Sequence, residues 1–150
     1  MNQFNLIDLF AGCGGLTEGF VSSGSSYNTL AVVEWEKHPL ETLKKRLLSK
    51  WGYPDKEIFI NYDIQDIRGL QEGIKKEQFD IDVGLENLVG KNNVHLIVGG
   101  PPCQAYSLAG RAQDKFGMKQ DYRNYLFESF AKLVEIYSPE FLRIAKQRGR

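Results

Sequence analysis

Cysteine, histidine, tryptophan and methionine each occur only twice among the 150 residues. Cys13 and Cys103 lie in different loops and form no Cys-x-x-Cys pair, which leaves no disulfide framework and no dithiol redox motif. A reducing compartment is the simpler reading. His38 and His95 are scattered, one near a helix start and one in a strand, so no metal site is expected. Neither sign of charge is in excess, with 19 basic against 19 acidic side chains. Whole-chain charge therefore exerts no pull on nucleic acid, and a local patch has to carry any such contact. No run approaches the ~20 apolar residues of a membrane span, and no signal peptide opens the chain. No membrane partner is expected, and a cytoplasmic location is the default. Repeats and low-complexity segments are lacking too. A chain of this length reads as one domain, able to bury roughly 70% of its unfolded surface.

What is present alternates between strand and helix. Residues 4–10, 29–34, 58–62 and 94–98 read as short apolar strands. Helices are predicted over about 14–23, 39–49 and 123–137. In the second, Leu40, Leu43, Leu47 and Leu48 make an apolar stripe, with Lys44, Lys45 and Arg46 on the solvated face. In the third, Leu126, Phe127, Phe130, Leu133, Val134 and Tyr137 share an apolar side. Residues 66–93 mix charge with glycine, form at best short helices, and read as a surface insertion. This alternation argues for an α/β fold with a parallel sheet covered on both faces.

Two stretches carry chemistry. Val94–Val98 runs straight into Gly99-Gly100-Pro101-Pro102-Cys103-Gln104. The glycines and prolines stop the strand abruptly and present one cysteine at its carboxyl end. That edge is where ligands collect in open α/β sheets. A positioned thiolate there can attack an electron-poor carbon. At the other end of the chain, strand 4–10 leads into Ala11-Gly12-Cys13-Gly14-Gly15 and then a helix. Glycines permit close backbone approach and a helix start offers free N–H groups, which together make a nucleotide-type cradle. Cys13 is read as a small packing residue.

Taken together, these stretches resemble the C5-cytosine methyltransferase family. Asp8-Leu9-Phe10-Ala11-Gly12-Cys13-Gly14-Gly15 is similar to the family's first S-adenosylmethionine motif, Glu34-Trp35-Glu36 to its second and Asp63-Ile64 to its third. Gly100-Pro101-Pro102-Cys103-Gln104-Ala105-Tyr106-Ser107 resembles the catalytic motif, and Asp121-Tyr122-Arg123-Asn124-Tyr125-Leu126-Phe127 the motif after it. Order and approximate spacing agree from residue 4 to about residue 142.

The resemblance implies a Rossmann-like, S-adenosylmethionine-dependent methyltransferase sheet. It implies Cys103 as the nucleophile that adds to C6 of cytosine. Phe10, Ala11, Gly12, Gly14 and Gly15 would cradle the cofactor, Glu34 would accept its ribose hydroxyls, and Trp35 would lie on the adenine. Asp63 would accept from the adenine amino group, with Ile64 against the ring, and Pro102 and Leu126 complete the set. Gln104, Ser107, Arg111 and Arg123 would contact the target. A loop from Ala105 to Gln120, basic at Arg111, Lys115 and Lys119, would close over double-stranded DNA and hold a flipped cytosine. Partnership with a restriction endonuclease follows by analogy.

The departure begins after Leu142. The family would continue a strand into a Glu-Asn-Val motif, whereas residues 143–150 carry four basic side chains. The expectation is a partial catalytic domain over residues 1–142, a basic non-family tail over 143–150, and no target-recognition domain. The sheet would stop at the fourth strand and its following helix, leaving strand 94–98 at an exposed edge. Such a chain is expected to be inactive alone. Three other readings stay open: half of a split enzyme completed by a second polypeptide, a non-catalytic cofactor-binding remnant, and a fragment acting on tRNA.

Overall fold

The computed structural model describes residues 3–23, 27–53, 57–101 and 122–144, with the backbone alone for 122–124. In chain order the elements are β1 (Phe4–Leu9), α1 (Gly15–Ser22), β2 (Tyr27–Glu34), α2 (Lys37–Lys50), β3 (Phe59–Asn61), α3 (Ile67–Glu72), α4 (Leu85–Val89), β4 (Leu96–Gly99), α5 (Tyr122–Tyr137) and β5 (Phe141–Ile144). The strands form one sheet in the order β3-β2-β1-β4-β5, and every pairing is parallel.

Strand period sets the two layers. Ile7, Leu9, Ala31, Val33, Ile60 and Ile97 point to one face, where Leu70, Leu85, Leu126, Phe130 and Leu133 pack from α3, α4 and α5. Val32 and Phe59 point to the other face, against Leu40, Leu43 and Leu47 of α2. Leu6, Leu96 and Val98 share that second face with Leu16 and Phe20 of α1. Burial on both faces explains why the central strands read as continuous apolar runs. Among the described residues no helix is long and apolar enough to cross a membrane.

Four expectations are corrected. The sheet does not stop at its fourth strand: Phe141–Ile144 pairs with Leu96–Gly99, so β4 lies between β1 and β5 and is not an edge. The strand also runs through Arg143 and Ile144, two residues into the stretch read as a basic tail. Strand pairing uses backbone groups, and all four β5 side chains are exposed, so an arginine costs little on such an edge.

Residues 66–93 are not a surface insertion. Leu70, Ile81, Leu85 and Val89 belong to the main core, and the Tyr137 hydroxyl of α5 donates to Gln71 Oε1 of α3 at 2.5 Å. Gly73 and Gly90 end short helices rather than mark a loose loop. The Asp66 side chain accepts from the Gly69 N–H at the start of α3, and Gly73 closes its other end at φ 74°. Phe127 leaves the apolar side of α5 and is 42% exposed, because the buried stripe follows Leu126, Phe130 and Leu133.

Candidate cofactor site at the sheet edge

The strand order reverses between β1 and β4, and at such a switch point the loops beyond the carboxyl ends part to leave a crevice. A cavity of about 300 Å³ opens there, lined by Phe10, Gly12, Val33, Glu34, Trp35, Glu36, Tyr62, Asp63, Ile64 and Leu126. These residues follow β1, end β2, follow β3 and face in from α5. The topology therefore gathers one wall from each of four separate segments.

The first wall is a tight turn. Phe10, Gly12 and Gly14 all have positive φ, at 61°, 55° and 86°. For glycine this is free; for phenylalanine the left-handed region stores about 1–3 kcal/mol of strain. The turn sets the Phe10 ring 6.3 Å from that of Phe130, at the cavity's edge. Beneath it, Asp8 is fully buried and its Oδ2 accepts the Thr17 hydroxyl. Gly14 supplies no side-chain cap to α1, so a carboxyl from β1 takes over at the third residue of the helix. Burial pushes the Asp8 carboxyl up to about 7, against the Thr17 hydrogen bonds and reinforced by Glu34. Among the described residues its Oδ1 has no hydrogen-bond partner.

The second wall is the end of β2. Glu34 Oε2 accepts the Gly12 N–H at 2.7 Å and Oε1 the Glu36 N–H at 2.9 Å. One carboxylate thus ties the glycine turn to the turn after β2. An ionised carboxylate has about four acceptor positions, so it retains capacity for hydroxyl donors. Trp35, next in sequence, is half exposed. On the third wall, Asp63 Oδ1 accepts the Gln65 N–H at 2.9 Å, and Ile64 is buried beside it. The Tyr62 hydroxyl lies 2.9 Å from the Ile74 carbonyl and 3.0 Å from the Asp66 carboxylate, which anchors the segment carrying Asp63.

The structure brings together Phe10, Gly12, Glu34, Trp35, Asp63, Ile64 and Leu126. It places Ala11 and Gly14 behind the turn instead, with Ala11 in the α2 cluster and a Cβ built on Gly14 only 2.1 Å from Leu43 Cδ1. Gly15 faces a different groove, between α1 and β5. Pro102, Cys103, Gln104, Ser107 and Arg111 lie outside the described residues, and Arg123 is described by its backbone in α5 alone. The strand that leads to Cys103 ends in close contact: a Cβ on Gly99 would sit 2.4 Å from the Leu9 carbonyl and 2.8 Å from the Phe130 ring. Sequence reasoning missed Val33, Glu36 and Tyr62 as lining residues, and Asp8, Thr17 and Asn61 as their supports. A polar residue closing the apolar run Ile58-Phe59-Ile60-Asn61 was the available signal for the last of these.

The family model for C-5 cytosine-specific DNA methylases matches residues 4–144. Among curated proteins, the type II methyltransferase M.DdeI of Desulfomicrobium norvegicum is 34% identical, over 91% of this chain and 26% of its own length. The type II methyltransferase M.Bpa9945I of Bacillus paralicheniformis is 31% identical, over 90% of this chain and 38% of its own. DNA (cytosine-5)-methyltransferase 1 of Rattus norvegicus is 29% identical, over 98% of this chain and 8% of its own. The chain thus spans well under half the length of these relatives. With a match over nearly all of its residues, the chain belongs to the C-5 cytosine-specific DNA methylase family.

Proposed function

We propose that this chain supplies the cofactor pocket and the nucleophile of a DNA (cytosine-5)-methyltransferase. The observation that carries the reading is the cavity where Glu34, Trp35, Asp63 and Ile64 meet the turn of Phe10 and Gly12. Its size suits a nucleoside, at the lower end of the ~300–1,000 Å³ of small-molecule sites. Its chemistry suits one too, with carboxylates for hydroxyl and amino donors and apolar groups for a flat ring. When bound, S-adenosylmethionine supplies an electrophilic methyl group. Glu34 would take the ribose hydroxyls, Asp63 the adenine amino group, and Trp35, Ile64 and Phe10 the ring faces.

Cys103, four residues beyond the end of β4, is proposed as the nucleophile. Cytosine C5 is too weakly nucleophilic to take a methyl group unaided. Addition of the Cys103 thiolate to C6 would move electron density to C5, which would bond the methyl carbon as that carbon's bond to the sulfonium sulfur breaks and the electron pair leaves on sulfur. Loss of the C5 proton and expulsion of the thiolate then restore the ring. The thiol must be ionised, so its ordinary pKa near ~8.5 has to fall or its proton has to be taken as it attacks. A base held in a duplex is out of reach of this chemistry, which makes a flipped cytosine in DNA the proposed substrate. The similarity to DNA (cytosine-5)-methyltransferase 1 of Rattus norvegicus favours DNA over RNA.

Turnover is assigned to the complete catalytic unit, because the relatives extend well beyond the matched region. A complementing polypeptide is the second reading. One observation favours it: a groove of about 840 Å³ between α1 and β5, lined by Phe4, Leu16, Phe20, Tyr27, Leu96, Phe141 and Leu142. Partnership with a restriction endonuclease rests on the type II relatives.

Calorimetric titration with S-adenosylhomocysteine tests the pocket. Glu34→Gln and Asp63→Ala should each weaken binding about 10- to 100-fold, as expected for hydrogen bonds to charged groups. Cys103→Ser should leave this affinity unchanged while abolishing tritium transfer to DNA in the completed enzyme. Affinity unmoved by both pocket variants would remove the reading.

A further inference from the structure

Asn61 closes β3 and is 3% exposed. Its Nδ2 donates to two backbone carbonyls of the neighbouring strand end, Glu34 O at 3.0 Å and Trp35 O at 2.5 Å. The same Glu34 carbonyl also receives the Tyr62 N–H at 3.2 Å. Asn61's own N–H donates to the Asp80 carbonyl at 3.2 Å, which anchors it from behind. A single amide therefore holds two consecutive carbonyls at the point where β2 stops and the chain turns into α2. Just past that point the Glu34 carboxylate grips Gly12 and Glu36. The linkage runs from β3 through Asn61 to the end of β2, and through Glu34 to the turn after β1.

We infer that Asn61 is the positioning residue for the nucleoside end of the pocket: its amide fixes the backbone that aims Glu34 and Trp35. This rests on the cofactor reading above. At the end of β2 the Glu34 carbonyl takes the Tyr62 N–H and keeps a second lone pair, and the Asn61 amide joins that carbonyl to the next one. An amide NH₂ has two hydrogens and can serve both. No other uncharged side chain of this size offers two donors on one atom. Aspartate has the same shape and offers none; it would set a carboxylate against two carbonyl dipoles. Serine keeps one donor on a shorter arm.

The test uses the full chain labelled with 5-fluorotryptophan. Its two tryptophans, Trp35 and Trp51, give two fluorine resonances. Trp51 sits at the far end of α2, where its Nε1 donates to Glu18 at 3.2 Å, and serves as the internal control. Asn61→Asp should move the Trp35 resonance and leave that of Trp51 in place. Asn61→Ser should give a smaller displacement in the same direction, and it is the variant to read if Asn61→Asp does not fold. By calorimetry, Asn61→Asp should weaken S-adenosylhomocysteine binding roughly tenfold or more. It should also shrink the preference for that ligand over an analogue lacking both ribose hydroxyls. A Trp35 resonance that stays put in folded Asn61→Asp overturns the proposal; a parallel loss of both resonances marks general unfolding, and a Trp35 resonance that stays put in Asn61→Ser then overturns it. Weakened binding with the hydroxyl preference intact overturns it as well. If the unmodified chain fails to bind S-adenosylhomocysteine while Asn61→Asp still displaces Trp35 alone, the cofactor reading falls and the backbone clamp stands.

Discussion

Asp8 sets a pH dependence that no surface carboxylate would give. Burial holds its carboxyl near 7 in the folded chain, against 3.8 in the open one. Between those values the native state keeps a proton that the unfolded chain has released. Its contribution to stability is therefore full below about pH 4, falls as pH rises through the window, and is gone above about 7, an amount on the order of 4 kcal/mol. Asp66 does not blur this window, because its hydrogen bond with Lys76 lowers its pKa and puts its titration below the same range. Urea denaturation at pH 5 and pH 8 should give a lower midpoint at the higher pH. Asp8→Asn keeps an acceptor for Thr17 and should make the two midpoints equal. A wild-type midpoint that rises with pH would show Asp8 to be ionised in the fold. Glu34, Trp35 and Asp63 were legible in the sequence through the motifs that resemble the family's second and third, which fall at the ends of apolar runs. Asp8 belonged to a legible motif, but its burial depends on a helix that the motif does not reveal. The left-handed Phe10 was not legible either, since propensity gives no reason to place a phenylalanine at positive φ.

At the scale of elements, α2 determines how firmly the glycine turn is held. Glu18 of α1 pairs with Arg46 and with Lys50, and accepts from Trp51 Nε1, so the two helices are tied across the second face. Leu43 lies beneath Gly14 at full burial. Leu43→Ala should cost about 2–5 kcal/mol by transfer and cavity terms. Gly14→Ala should be destabilising for two reasons, the clash with Leu43 and a Cβ at positive φ. Combining the two substitutions removes the clash and leaves the backbone strain of about 1–3 kcal/mol. The double variant should thus be more stable than the sum of the single losses, as measured by chemical denaturation. Strict additivity would mean that Gly14 and Leu43 are not coupled. The apolar stripe Leu40, Leu43, Leu47 made α2 legible. The segment from 66 to 93 was misread because Leu70 lies in a helix of six residues, Leu85 and Val89 in one of five, and Ile81 between them, so no helical period shows.

At the scale of the whole molecule, the sheet is asymmetric. β1, β2 and β4 are covered on both faces, whereas every side chain of β5 is exposed. Parallel α/β order was legible from the alternation of strand and helix. The fifth strand was not, because three apolar residues around one arginine resemble a tail as much as an edge. Phe141, Leu142 and Ile144 are 60%, 48% and 45% exposed, and Phe4 adds a further 44% beside them. Exposed apolar residues on a strand edge that continues into an open groove form a self-association hazard. The isolated chain should therefore show a concentration-dependent sedimentation coefficient. Leu142→Lys places a charge on that edge without touching the cofactor cavity. It should bring sedimentation to that of a monomer while S-adenosylhomocysteine affinity stays the same. A wild-type chain that sediments as a monomer at every concentration would show that this edge is protected, and the case for a partner in the groove would go with it.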